Sequence, residues 1–119
     1  MREPDVKAHV RRYLEEQGYV VPSHGDRGGP DIIAKKDGKR LIVEVKGDRP
    51  GHRSSPGTIY VDVCTLLGQI VLRKGEALAS EYAVAIRPVH KPLVDRAMAA
   101  LKELSVRIFL VGDDSVREV

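Results

Sequence analysis

The sequence is poor in cysteine and aromatic residues and has no long apolar run. The single cysteine, Cys64, excludes an internal disulfide bond and a zinc site built from cysteines. No apolar stretch approaches the roughly 20 residues that cross a bilayer, and the first residues do not resemble a signal peptide. We therefore expect a cytoplasmic protein that does not enter membranes. Aromatic residues make up 4% of the chain, which disfavours binding of single strands by base stacking.

The remaining composition is that of an ordinary folded domain. Hydrophobic residues make up 42% and charged residues 31% of the 119 positions, proportions typical of globular proteins. This length predicts a single domain over residues 1–119 with a core of its own. The net charge of +3 permits binding to nucleic acid without requiring it.

Apolar periodicity and turn residues predict alternating helices and strands. The late strand–helix–strand order implies parallel neighbours joined by a right-handed crossover. We therefore expect an α/β fold with a central mixed sheet between helices on both faces. The predicted helices cover residues 4–17, 61–78 and 90–104, and the predicted strands cover 19–21, 31–36, 39–46, 81–86 and 106–111, with a short edge piece in the tail.

A hairpin brings two carboxylates together in this prediction. Asp37-Gly38 is a strong signal for a two-residue hairpin turn. Counting outward from that turn places Asp31 opposite Glu44, and opposed side chains have Cβ atoms ~4.5–5.5 Å apart. Lys46 follows two residues after Glu44, so strand alternation places both on one face. The three side chains are expected to converge at one end of the hairpin.

This group favours metal chemistry on a phosphate. Asp31 and Glu44 repel each other unless a divalent cation lies between them, and Mg²⁺ often takes one or two carboxylates together with phosphate oxygens. Lys46 could orient the attacking water or hold the phosphate. The alternative is a solvated sheet face on which these charges have no function. The apolar residues 41–43 argue for a strand covered on both sides, where idle charges are costly.

These residues resemble the PD-(D/E)xK nuclease superfamily, which includes Holliday junction resolvases and Mrr-like enzymes. The likeness lies in Pro-Asp at 30–31, a hairpin, and Glu-Val-Lys at 44–46, followed by a helix with Gly-Gln at 68–69. It covers roughly residues 4–72. The resemblance implies the three-layer α/β/α restriction endonuclease-like fold with a central mixed sheet. It also implies a nuclease dependent on Mg²⁺ or Mn²⁺ that hydrolyses phosphodiesters in DNA. Because a core of 119 residues has little surface for reading bases, we expect it to recognise the shape or ends of DNA or to work as a homodimer.

The resemblance assigns roles to individual residues. Asp31 and Glu44 would bind the metal together with the backbone carbonyl of Val45. Lys46 would assist the attacking water. Gln69 would position Lys46 or the water, and the alternative is an exposed or core-edge polar residue of the helix.

One position departs from the family pattern. Many relatives have a glutamate in the first helix, and the corresponding residue here is Lys7, while Glu3 lies one turn earlier and could substitute. The departure keeps open a second function, a nuclease-fold module that binds DNA with weak or no cleavage. A third hypothesis is an interaction domain that shares only the fold and whose carboxylates are solvated.

Two loops carry further candidates for contact with nucleic acid. His24 precedes the hairpin, and Arg49 and Arg53 follow it. The arginines could contact phosphates and set register without reading bases. The alternative is a pair of solvated loops. We also expect Cys64 in the core, since apolar residues surround it.

Overall fold

The computed structural model describes residues 1–23, 28–51 and 54–119. It has helices on both faces of one five-stranded sheet. The elements in chain order are α1 (Glu3–Glu16), β1 (Ile32–Lys36), β2 (Lys39–Val45), α2 (Pro56–Gly75), β3 (Glu81–Ile86), a 3₁₀ turn (Pro88–His90), α3 (Lys91–Arg96), α4 (Met98–Glu103), β4 (Val106–Val111) and β5 (Val116–Glu118). Among these helices, none combines the length and apolar character that crossing a bilayer requires.

The sheet is mixed, as predicted, with strands in the order β1-β2-β3-β4-β5. The central strands β2, β3 and β4 are parallel, and the edge strands β1 and β5 are antiparallel to their neighbours. This confirms a three-layer α/β/α arrangement compatible with the restriction endonuclease-like fold. The tail supplies an edge strand, as expected from the sequence.

Two apolar layers enclose the central strands. α1 covers one face of the sheet, and α2, α3 and α4 cover the other. Burial on both faces explains why β3 and β4 are almost continuously apolar in sequence. Cys64, expected in the core, is instead exposed, because it lies on the side of α2 that faces away from the sheet. The helix residues that form the core are Val6, Val10 and Leu14 of α1 and Val63, Leu66 and Ile70 of α2.

The hairpin has the predicted register. Lys36 is paired with Lys39 across the turn, and Ile32 is paired with Val43 at the far end. Asp37 and Gly38 both have positive φ, 52° and 76°, which is the signature of the type I′ turn that matches strand twist.

Two other predicted elements are wrong in part. Residues 19–21 do not form a strand, since a single bridge joins Val20 to Lys35. Val20 is 67% exposed while Val21 is buried in the core, and Pro22, at the next position that would donate to β1, has no amide hydrogen to extend the ladder. The helix expected over residues 90–104 is divided at Ala97, whose φ of −98° and ψ of 3° leave the helical range.

α2 begins at Pro56, earlier than the apolar pattern predicted. Ser55 caps the helix, because its hydroxyl accepts a hydrogen bond from the amide of Thr58. The hydroxyl of Thr58 in turn accepts from the amide of Ser55, at 2.8 Å. This reciprocal cap satisfies two amides that the first turn leaves unpaired. A proline is favourable at the first helical position.

Candidate functional site

Asp31 and Glu44 lie together at the open end of the hairpin. The ladder ends at the pair Ile32 and Val43, and Asp31 and Glu44 are the next residues outward. A carboxylate oxygen of Asp31 accepts a hydrogen bond from the amide of Val45 at 2.8 Å. This bond connects the segments that flank β1 and β2 beyond the last pair of the ladder. Glu44 is only 2% exposed.

The environment of Glu44 is unfavourable for its charge. The pKa of Glu44 is raised to about 7, mainly by burial, and the hydrogen bond and like charge of the adjacent Asp31 contribute to this increase. The hydrogen bond and positive charge of Arg73 lower the pKa of Glu44. A cation bound beside the two carboxylates would favour the ionised form of Glu44.

Two cationic side chains already contact the carboxylates, one from each helical layer. Nε of Arg73 on α2 donates a hydrogen bond to Oε1 of Glu44 at 2.9 Å. Nζ of Lys7 on α1 lies 3.3 Å from Oδ1 of Asp31. Of the two first-helix candidates, Lys7 is therefore the residue that reaches the carboxylate pair.

Lys46 lies between two further acids. Its ammonium is 3.5 Å from a carboxylate oxygen of Glu3 and 3.7 Å from one of Asp62. Glu44 and Lys46 thus both contact residues of α2, which agrees with the prediction that strand alternation places them on one face. Glu3, the other first-helix candidate, contacts Lys46 rather than Asp31.

Asp62 is a residue of this site that the sequence analysis missed. It is 5% exposed and accepts hydrogen bonds from Nε and Nη2 of Arg49 at 2.9 and 2.8 Å. The hydrogen bonds from Arg49 are the main cause that lowers the pKa of Asp62, and the charge of Lys46 contributes. The available signal was a lone carboxylate among the apolar residues at the start of α2. Buried charges of this kind are normally paired.

A buried polar network holds the loop that follows Lys46. Nε of Arg87 donates to Asp48 at 2.9 Å, and Nη1 donates to the carbonyl of Val111 at 2.8 Å. Nδ1 of His90 accepts a hydrogen bond from the amide of Arg87 at 3.0 Å. Burial is the main cause that lowers the pKa of His90. The network fixes one wall of a cleft of about 510 Å³, whose charged lining residues are Arg2, Glu3, Lys46, Asp48, Arg49 and Asp62.

The other predicted site residues are placed as follows. Gln69 is on an exposed side of α2, whereas the ion-pair partners of Lys46 are Glu3 and Asp62. Arg49 is paired with Asp62, and its predicted contact with phosphate stays a prediction. His24 and Arg53 lie outside the described residues.

The carboxylates of the site fit an open Mg²⁺ site and not a closed structural metal site. Within residues 1–23, 28–51 and 54–119, no three His, Cys, Asp or Glu side chains are close enough together to enclose a metal ion. A closed structural site is therefore not built from these side chains. Mg²⁺ commonly keeps several waters and binds through one or two carboxylates plus substrate phosphate. Asp31 and Glu44 fit that open arrangement.

Comparisons with known proteins show a shared fold. No protein-family model and no curated protein matches the chain. An XisH family protein from Nostoc punctiforme PCC 73102 superposes with a TM-score of 0.60 and 19% identity, over 96% of this chain and 98% of the other. An fdxN element excision controlling factor protein from Anabaena variabilis gives 0.59 and 19%, over 97% and 98%. At this identity, the likeness extends to the fold of nearly the whole chain and not to a function.

Proposed function

We propose that this protein is a divalent-metal-dependent nuclease that hydrolyses phosphodiester bonds, with DNA as its substrate. The observation that supports this most is the pairing of buried Glu44 with Asp31 at the end of a hairpin. Lys46 follows Glu44 on the same face. Both the spacing and the placement of these residues resemble the PD-(D/E)xK pattern.

Each residue has a defined task in this proposal. Asp31 and Glu44 would hold Mg²⁺ or Mn²⁺, with the carbonyl of Val45 as a further ligand. When bound, the metal would neutralise charge on the scissile phosphate and lower the pKa of the attacking water. The ammonium of Lys46 would donate a hydrogen bond to that water or to a phosphate oxygen. Glu3 and Asp62 would hold the ammonium in position.

Two observations support the choice of DNA. The net charge of +3 favours a polyanion. One similar structure belongs to a factor that controls excision of an element, which is compatible with a function on DNA. A homodimer would bring two sites to the two strands of a duplex, and light scattering during gel filtration would test this assembly.

A second candidate function follows from the contacts of the carboxylates. Lys7 and Arg73 lie where they partly neutralise Asp31 and Glu44. A nuclease-fold module that binds DNA without cleaving it would have this feature. Its affinity for DNA would fall steeply with salt and would survive the substitution Glu44→Ala.

Cleavage assays separate the two functions. Labelled duplex, junction, flap and single-stranded DNAs, with an RNA for comparison, would be incubated with Mg²⁺, Mn²⁺ or EDTA. We expect metal-dependent cleavage by the wild type that drops about 100-fold or more in Lys46→Ala and Glu44→Ala. Asp95→Ala is the matched control, because Asp95 belongs to an exposed ion pair on α3. Absence of cleavage by folded wild-type protein on every substrate would contradict the nuclease.

A further inference from the structure

We propose that Arg73 and Lys7 are resident counterions of the Asp31–Glu44 pair, which compete with a divalent cation and thereby set the metal affinity of the site. This inference deepens the proposed function and rests on its metal site. It concerns two residues outside the motif quoted above, of which Lys7 lies where many members of the superfamily have a glutamate.

Arg73 is well placed to remain on Glu44. It belongs to the last turn of α2, and its Nε lies 2.9 Å from a carboxylate whose side chain is 3% exposed. Its other ion pair, with Glu76, is longer at 3.5 Å, and Glu76 is 50% exposed. The guanidinium therefore has its stronger partner inside the site, because the buried pair is screened less by water.

Lys7 completes the arrangement on the side of α1. Its ammonium is 3.3 Å from Oδ1 of Asp31, while Oδ2 of Asp31 accepts the amide hydrogen of Val45. Both oxygens of Asp31 thus have a donor. Lys7 is 39% exposed, so its effect on a bound ion is weakened by solvent more than that of Arg73.

The charges of the four side chains cancel. Two ionised carboxylates and two cations give a formal sum of zero, so an approaching divalent ion meets repulsion as well as attraction. Removal of one cation leaves the two carboxylates with a single counterion, so a bound divalent ion meets less repulsion. The gain in metal affinity should be larger at Arg73, since its partner Glu44 is the more buried carboxylate.

Direct metal titration tests this without an activity assay. Mn²⁺ binding would be followed by the electron paramagnetic resonance signal of the free ion at pH 7.5 and low salt. We expect the Kd of Arg73→Gln to fall on the order of tenfold, and that of Lys7→Gln by about threefold. Lys91→Gln removes the same charge from the exposed pair with Asp95. Its Kd should stay within about twofold of the wild type.

Each result decides the question. Kd values for Arg73→Gln and Lys7→Gln that equal or exceed the wild-type Kd would overturn the proposal. If Glu44→Gln abolishes binding in that case, the metal site itself still stands. Absence of Mn²⁺ binding in the wild type and in both variants would overturn the metal site and the proposal together. If Arg73→Gln does not fold by circular dichroism, the exposed Lys7→Gln variant decides.

Discussion

The ammonium of Lys46 lies 3.7 Å from a carboxylate oxygen of Asp62, which connects the end of β2 to α2. The same carboxylate accepts two hydrogen bonds from Arg49. One nearly buried acid therefore positions two cations beside the cleft. The neighbouring carboxylates Asp31 and Glu44 have other partners, Lys7 of α1 and Arg73 in the last turn of α2. Substitutions can therefore test the Asp62 contacts and the Asp31–Glu44 pair separately.

Asp62→Asn should destabilise the fold at neutral pH. The substitution removes the charge that pairs with Arg49 and Lys46, and we expect a loss of about 1–2 kcal/mol in the free energy of unfolding measured with urea. The pKa of Asp62 is lowered in the folded protein. Its stabilising effect is therefore present at pH 7 and disappears as the pH falls through the folded pKa. The difference in the free energy of unfolding between Asp62→Asn and the wild type should therefore become smaller at acidic pH.

Asp95→Asn is the control for this measurement. Asp95 forms an exposed ion pair with Lys91, four residues earlier on the helix. Such pairs contribute about 0.3–0.5 kcal/mol. Equal losses in Asp62→Asn and Asp95→Asn at pH 7 would show that Asp62 has no structural task.

Gly47→Ala should be strongly destabilising, unlike Gly68→Ala. A Cβ on Gly47 would lie 2.7 Å from the carbonyl carbon of Arg2 and closer still to the amide nitrogen of Glu3. Backbone atoms cannot turn aside as a flexible side chain can, so the start of α1 and Glu3 must move. We expect a loss of about 1–3 kcal/mol in the free energy of unfolding.

Gly68→Ala is the matched comparison within α2. A Cβ there has no neighbour within 4 Å, and alanine is favoured over glycine inside a helix by about 0.8–1.0 kcal/mol. We expect a higher melting temperature for Gly68→Ala and a lower one for Gly47→Ala. The reverse order would contradict the close approach of residues 2–3 to Gly47.

Glu44→Gln should remove a pH-dependent loss of stability. Glu44 has a pKa of about 7 in the folded protein against an ordinary value of 4.5, so the folded state binds an extra proton between these values. Stability of the wild type should therefore decrease relative to Glu44→Gln as the pH rises from about 4.5 to about 7, by on the order of 2 kcal/mol. Urea unfolding in EDTA at several pH values measures this. A difference independent of pH would contradict the raised pKa.

Asp31→Asn should lower the pKa of Glu44. Asp31 raises that pKa by hydrogen bonding and by its charge, and the amide carries no charge. We expect the pKa of Glu44 to decrease, and a titration that follows the ¹³C chemical shift of the Glu44 side-chain carboxyl measures the change. Asp5→Asn, an exposed residue of α1, is the control. No change in Asp31→Asn would mean that Asp31 does not contribute to the raised pKa of Glu44.

Local signals predicted most of the elements that carry the site. The bounds of β3 and β4 follow from continuous apolar runs, and the register of the hairpin follows from Asp37-Gly38. The early start of α2 also has a local signal, the capping residue Ser55 followed by Pro56. The prediction missed it because it relied on apolar periodicity, which begins later in the helix. The division at Ala97 has no comparable signal, since the apolar pattern continues through it.

The sequence by itself determined that Asp31 and Glu44 face each other, because a two-residue turn and strand alternation are short-range rules. Tertiary structure alone decided what surrounds them: Arg73 on Glu44, Lys7 on Asp31, and Asp62 beside Lys46. These contacts depend on how α1 and α2 dock on opposite faces of the sheet. The apolar stripe of each helix determines how the helix docks on the sheet. That packing fixes the rotation of the helix about its axis and its position along the strands, and these decide which polar side chains meet.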